Sequence, residues 1–218
     1  MEITLKDKIK TIFRLILSPK TLKALLSQRL TGYLIDQGWF NSFISKAPVD
    51  SNNEPIPWLT YPFIDFINLR LNNRLIIFEF GSGNSTLFFA KKVKEVFSVE
   101  HNKDWYNRIS KQLQGNVNMI YKEIDEEYPK SIQSLNKKFD IIIVDAEERV
   151  NCVKDSVSAL SSTGVIVLDD SERSEYNEGI DFLKVNGFKR LDFWGISAGI
   201  LFKKCTSLFY RDKNCLEI

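Results

Sequence analysis

The stretch Glu79-Phe-Gly-Ser-Gly-Asn-Ser-Thr86 places a carboxylate, two glycines and three hydroxyl side chains within eight residues. It continues the apolar run that starts at residue 75, which makes it a strand, a glycine turn and a helix start, in the order a nucleotide-type ligand requires. Gly81 and Gly83 let the backbone turn tightly and meet a ligand with no β-carbon in the way. Ser85 or Thr86 can cap the helix that follows. A dinucleotide site would want G-x-G-x-x-G, but Thr86 stands where the third glycine belongs. Glu79 would also sit near a pyrophosphate. A carboxylate there suits a ligand bearing an amino group and a sulfonium instead, so a nicotinamide-dependent oxidoreductase is disfavoured.

Nineteen residues after Gly81, the apolar run 96–100 ends in Glu100, and His101 follows it. One helix and one strand consume about 20 residues, and a bidentate acceptor at that offset can take both hydroxyls of a ribose. A second constellation closes the runs 140–145 and 164–169, which end in Asp145 and in Asp169-Asp170. If those strands are neighbours, their tips lie about 5 Å apart. The converging carboxylates then need a divalent metal, a raised pKa that makes one of them a base, or a capping role in which Asp170 and Ser171 start the next helix. Asp145 is the first choice as base or ligand. Glu147, Glu148 and Arg149 either orient a polar acceptor or form a solvated helix start. His101, the only histidine, fits an adenine-side role better than a base.

The elements that must position these residues alternate from residue 63 onward. Strands are expected at 75–80, 96–100, 117–121, 140–145 and 164–169, as near-continuous apolar runs buried on both faces. Helices are expected at 62–72, 85–94, 104–113, 129–135, 149–160 and 175–185, with a terminal hairpin over 188–194 and 198–204. Residues 38–62 read as an aromatic, proline-containing strap over the main domain, loop-like throughout. Trp39, Trp58, Tyr61 and Trp194 either pack that strap or wall an acceptor. Before it, Leu5, Ile9, Ile12, Phe13, Ile16 and Leu17 recur at helical spacing, and Ser18-Pro19 ends one helix and starts another.

The 218 residues carry a formal net charge of +2, too small to imply nucleic acid. Residues 1–30, however, hold seven Lys/Arg against Glu2 and Asp7, so this segment is +5 and the remainder is −3. Two readings compete for the basic amphipathic pair: docking on the domain or on a second copy in a homodimer, or peripheral contact with the inner face of a membrane. Three cysteines without C-x-x-C spacing fit a reduced, cytoplasmic setting, and no run is long and apolar enough to span a bilayer. Cys152 and Cys205 read as core residues.

The stretch E-F-G-S-G-N-S-T, followed by V-E-H-N-K-D-W at 99–105, resembles the first two signature motifs of class I S-adenosylmethionine-dependent methyltransferases. Within that class the chain is similar to a bacterial branch often linked with surface-polysaccharide genes. Gly32-Tyr-Leu-Ile-Asp-Gln-Gly-Trp-Phe40, Gly187-Phe-Lys-Arg-Leu-Asp-Phe-Trp-Gly195, Cys205-Thr-Ser-Leu-Phe-Tyr-Arg211 and Asn214-Cys-Leu216 carry that likeness. The resemblance implies an α/β, doubly wound, mostly parallel seven-stranded sheet of order 3-2-1-4-5-7-6. On it, residues 1–62 form an N-terminal extension and 63–218 the S-adenosylmethionine-binding domain.

Carried over residue by residue, Glu79, Gly81, Ser82 and Gly83, with Ser85 and Thr86 beside them, would cradle the methionine part. Glu100 would bind the ribose, His101 would lie near the adenine and Asp125 would face its amino group. Asp145 would lie beside the cofactor and, with Asp170, serve catalysis. The acid pair also resembles metal-dependent catechol-type O-methyltransferases, but those show Asp-Asn where this chain has Asp169-Asp170. Magnesium is therefore considered without assigning metal ligands. The implied activity is O-methylation of a hydroxyl on a glycan or related small molecule, against a non-catalytic cofactor-binding scaffold.

Overall fold

The computed structural model describes residues 4–218; Glu2 of the basic segment lies outside them. Two helices open the chain, α1 (Leu5–Ile16) and α2 (Pro19–Ser27), followed by the short α3 (Tyr33–Asp36) and α4 (Trp39–Ser45). Then come α5 (Tyr61–Asn68), β1 (Ile76–Phe80), α6 (Asn84–Ala90), β2 (Glu95–Glu100), α7 (Lys103–Ser110) and β3 (Val117–Tyr121). A 3₁₀ segment, Pro129–Leu135, leads to β4 (Phe139–Val144), α8 (Arg149–Ala159), β5 (Leu160–Leu168), α9 (Asn177–Val185), β6 (Lys189–Ser197) and β7 (Ile200–Tyr210). The sheet order is β3-β2-β1-β4-β5-β7-β6, parallel except for β7, which runs antiparallel to both neighbours.

The sheet is the expected one, and its side chains sort by strict alternation. Ile77, Ile141, Ile143, Val165 and Val167 face one core with α5, α6 and the strap. Phe78, Phe80, Ile142, Val144, Ile166 and Leu168 face the other with α8 and α9. Phe78, Phe80 and Phe139 are fully buried, with the Phe78 ring in edge contact with Phe80 and tilted contact with Phe139, each ring contributing about 1.5–3 kcal/mol through burial. Glu79 falls on the face of Ile77, paired in register with Ile143 on one side and with the buried Ser98 on the other.

Four expectations change. Residues 38–62 are not loop throughout: α4 lies within them, and Trp39, Ile56, Leu59 and Tyr61 join the core of the strands. The strap is thus part of the main domain's interior, held by Thr60 Oγ1 donating to Phe193 O at 3.0 Å and by an isolated bridge to Ser197. The third crossover, 129–135, is a 3₁₀ segment instead of an α-helix. The final strand runs to Tyr210 because Cys205 to Phe209 are all buried and pair with β6, and Ser207 to Phe209 pair with β5 as well. At the N-terminus, α1 and α2 lie against each other and neither buries a residue, so docking on the domain is not what the structure shows.

Candidate functional site

At the carboxyl end of the sheet the chain leaves β1 at Gly81, whose N–H donates to Val99 O at 2.9 Å. Gly81 has φ +97°, and a β-carbon there would stand 2.5 Å from the Asp145 carbonyl oxygen. Both the conformation and the space demand glycine. Gly83 is different: its backbone is extended, and a β-carbon would make ordinary contact with the Trp105 ring at 3.6 Å. The turn's conformational demand rests on one glycine, not on both. Thr86 does serve the helix start, but as an acceptor of the Gly83 N–H at 3.1 Å from the third helical position. Gly81→Ala is expected to destabilise the fold by about 2 kcal/mol or more and to displace the turn, read as a lowered Tm together with lost ligand binding; an unchanged Tm would show that the close approach relaxes freely.

Glu100 is buried at the end of β2 and turned toward the same bend. Its Oε2 accepts from Ser82 N at 3.1 Å and Ser82 Oγ at 2.8 Å, and its Oε1 accepts from Asn102 N at 2.8 Å. A carboxylate offers about four lone-pair directions, so three donors hold Glu100 while part of Oε1 stays free. Trp105, which the sequence did not single out, ties α7 to the turn by donating Nε1 to Ser82 O at 2.7 Å. Its signal was the Asn102 cap, which accepts from Trp105 N and fixes the tryptophan in the first turn of α7. A cleft of about 480 Å³ lies here, bordered by Gly81, Ser82, Glu100, His101, Trp105 and Asp145. His101 Nδ1 is buried without a partner, 3.6 Å from Glu100 Oε1.

Asp125 does not join this cleft. Its carboxylate lies 3.6 Å from Lys122 and accepts from Glu127 N at 2.9 Å, and it borders a separate depression with Lys130 and Lys154. The turn after β3 places it outside the cleft that Glu100 and His101 border.

Glu79 is 2% exposed, and its Oε2 has no hydrogen-bond partner. Burial pushes its pKa up to about 7, against the downward pull of hydrogen bonding with Thr86 and Ser85 and with a further push from the Asp145 charge. A small void of about 30 Å³ is lined by Glu79 together with Ser82, Ser85 and Asp145. An unpaired buried carboxylate oxygen beside a void is a vacant acceptor for a cationic donor.

The second constellation is compensated by cations. Arg149, at the start of α8, donates Nη2 to Asp145 Oδ1 at 2.9 Å and Nη1 to Asp169 O at 2.6 Å, with Asp170 Oδ2 at 3.3 Å. From β7, Lys204 Nζ reaches Asp169 Oδ2 at 2.5 Å and Asp170 Oδ1 at 2.8 Å, and Arg173 reaches Asp170 Oδ2 at 2.8 Å. Burial would raise the Asp170 pKa, but Lys204, Arg149 and Arg173 together hold it below the usual carboxylate value. Three cations on one carboxylate make a poor base, so Asp170 is reassigned from catalysis to counter-ion. It does not cap the next helix either, having φ +52°. Burial and the Asp145 charge push Asp169 upward. A magnesium ion does not suit this donor set, because the oxygens it would need already face Arg149 and Lys204; among the described residues no group of three metal-capable side chains converges.

Asp145 remains. It borders the Glu100 cleft, the Glu79 void, a cleft of about 390 Å³ with Trp58, Phe202 and Lys204, and one of about 490 Å³ beneath the strap. The last is walled by Trp58 and Trp105, with Asn53, Asn84, Arg108 and Gln112 around them. Of the four aromatics that could either pack the strap or wall an acceptor, only Trp58 lines these clefts; Trp39 is buried and donates to Ile200 O, Tyr61 is buried, and Trp194 lies under Lys203.

Residues 78–171 match a family model described as a methyltransferase domain, a span that holds the glycine turn, Glu100, Asp145 and Asp169. No curated protein matches the chain in sequence. Among solved structures, a precorrin-6y C5,15-methyltransferase from Geobacter metallireducens aligns with a TM-score of 0.56 and 16% identity over 69% of this chain and 87% of that one. An rRNA methylase from Streptococcus thermophilus gives 0.55 and 16% over 69% and 96%. A spermidine synthase from Thermotoga maritima gives 0.54 and 11% over 67% and 56%. At these identities the likeness is one of fold. Since the third protein is named for a different reaction, the fold alone does not select methyl transfer.

Proposed function

We propose that this chain is an S-adenosylmethionine-dependent methyltransferase that methylates a hydroxyl on a glycan or related small molecule. The observation that carries the reading is the buried, unpaired Glu79 oxygen beneath a glycine-only turn, with Glu100 on the far side of that turn. The methyltransferase-domain match over 78–171 spans both acids and supports it. When bound, the cofactor supplies a methyl group on a sulfonium, transferred in line to the acceptor oxygen as a neutral thioether leaves.

The residues then have distinct tasks. Glu79 pairs with the amino group, which supplies the donor its Oε2 lacks. Glu100 accepts from the ribose through Oε1 while holding Ser82, and His101 and Trp105 border the adenine end of the cleft. Asp145 lies where the clefts meet; Arg149 engages its Oδ1 and orients it, and the carboxylate takes the acceptor's proton as the methyl oxygen bond forms. Two tryptophan faces among amides suit a hydroxyl-rich ring, which favours the strap cleft for the acceptor.

Asp145→Ala is expected to keep S-adenosylhomocysteine affinity within about threefold by calorimetry. Labelled methyl transfer into a carbohydrate extract should fall by about 10²–10⁴-fold. Full turnover in that variant would remove Asp145 as the base. Binding without turnover in the unmodified chain would favour the scaffold reading, and saturable dinucleotide binding without S-adenosylhomocysteine binding would sink the proposal.

A further inference from the structure

The first 30 residues are unused by any of this chemistry, and their surface is not that of a solvated tail. In α1, Leu5, Ile9, Ile12, Phe13 and Ile16 are between 52% and 74% exposed. At 3.6 residues per turn they fall within an arc of about 100°, with Lys6 and Lys8 on its two borders and Lys10 and Arg14 beyond. Thr4 and Asp7 fix the start of this helix with a reciprocal capping box. Leu22, Leu25, Leu26 and Leu30 add further exposed apolar surface from α2 and just beyond it. The total is on the order of several hundred Å², the size that marks an interaction surface. Neither helix is long and apolar enough to cross a membrane.

A second patch sits at the mouth of the site. Phe43 and Ile44 of α4 are exposed, as are Leu201 and Phe202 of β7, and the two elements approach so closely at Gly199 that a β-carbon there would stand 3.1 Å from Phe43 N. Phe202 is 83% exposed yet lines the cleft with Asp145 and Lys204. Lys46 lies over the Phe43 ring and Lys203 follows Phe202, so this patch too is rimmed by cations.

We infer that α1, α2 and the Phe43/Phe202 rim dock on an anionic phospholipid surface, with the cleft that Phe202 lines beside Asp145 and Lys204 opening at that surface. Charge decides between the occupants. Two copies meeting through these helices would bring +5 against +5, whereas anionic headgroups complement the cations bordering each apolar arc while the arc enters the acyl boundary. The inference is independent of the proposed reaction, because it is read by binding alone.

The test uses the full chain, sedimented with vesicles of phosphatidylcholine alone or mixed with phosphatidylglycerol. Binding is expected only with the anionic lipid and should weaken as salt is added. Lys6→Gln combined with Lys10→Gln should lose on the order of tenfold in partitioning. Phe13→Glu should release the protein more fully, and Phe202→Ser should weaken binding with α1 intact. Because α1 buries nothing, the α1 variants should keep the unmodified Tm, which separates lost docking from lost folding. Equal binding to both vesicles, or to neither, would overturn the inference. So would a dimer seen by light scattering without lipid and dissolved by Phe13→Glu, since a second copy would then cover the face.

Discussion

Glu100→Ala is expected to reduce S-adenosylhomocysteine affinity by about a hundredfold and to lower stability at the same time. Two losses combine. The ribose loses a charged acceptor, where hydrogen bonds to ionised groups contribute about 1.5–3 kcal/mol each. The turn loses its tether, because Ser82 N, Ser82 Oγ and Asn102 N all donate to this carboxylate. Each donor left without a partner costs about 1–3 kcal/mol where water cannot replace the acceptor, and less at the cleft side. Glu100→Gln separates the effects: it fills the same space, but its amide nitrogen must face a donor on one side. The variant should fold with a modestly lower Tm and still bind at least tenfold more weakly. Ser82→Ala should change affinity only a few-fold, since it removes a donor from Glu100 and leaves the acceptor in place. Calorimetry on the three variants decides the matter, and wild-type affinity in Glu100→Gln would remove Glu100 from the ligand.

What the sequence made legible follows from periodicity and from strand ends. Runs such as Ile141 to Val144 could only be central strands, and a carboxylate closing such a run, as Glu100 and Asp145 do, had to emerge at the ligand-bearing edge. Local spacing likewise placed Thr86 at the helix start. The misses share a physical cause: they depend on partners distant in sequence. Lys204 neutralises Asp169 and Asp170 from a strand 35 residues on, and only the insertion of β7 beside β5 brings it there. Without that cation the acids looked like a metal or base site. The side Asp125 faces was illegible for a related reason, as the turn after β3 has no periodic signal to fix it. The strap misled because its α4 is short, and aromatic density reports burial without reporting conformation.

Arg149 and Lys204 also explain how one acid among three is left for the proposed chemistry. Asp169 is buried against Lys204 and Thr206, whose hydroxyl donates to it at 2.7 Å, and Asp170 is shared among three cations. Asp145 meets only Arg149, through one oxygen, and faces the clefts. The cations thus hold the strand tips together against carboxylate repulsion while leaving a single oriented carboxylate exposed.

Glu79→Gln is expected to make the unliganded protein more stable and the liganded one worse. Burial raises this carboxyl from an ordinary 4.5 to about 7, with Thr86 and Ser85 opposing and Asp145 adding to the rise. A group more basic in the folded chain keeps its proton longer there than in the unfolded chain. Between about pH 4.5 and 7 the folded state therefore binds more protons, stability falls as pH rises, and the loss is complete above pH 7. A shift of that size corresponds to about 3 kcal/mol at most. The neutral glutamine escapes it, so at pH 8 its Tm should exceed that of the unmodified protein by roughly 5 °C or more, the advantage vanishing near pH 4.5. Ligand binding should move the other way. An ammonium group needs the ionised carboxylate, so the unmodified protein's affinity for S-adenosylhomocysteine should weaken about tenfold per unit below pH 7. The glutamine variant should bind on the order of a hundredfold more weakly at pH 8 and lack that pH dependence. A glutamine variant that is less stable at pH 8 and binds normally would mean that the vacant oxygen of Glu79 faces structure instead of ligand. The partnerless Oε2 of a buried carboxylate is the position that the proposed ammonium group would occupy.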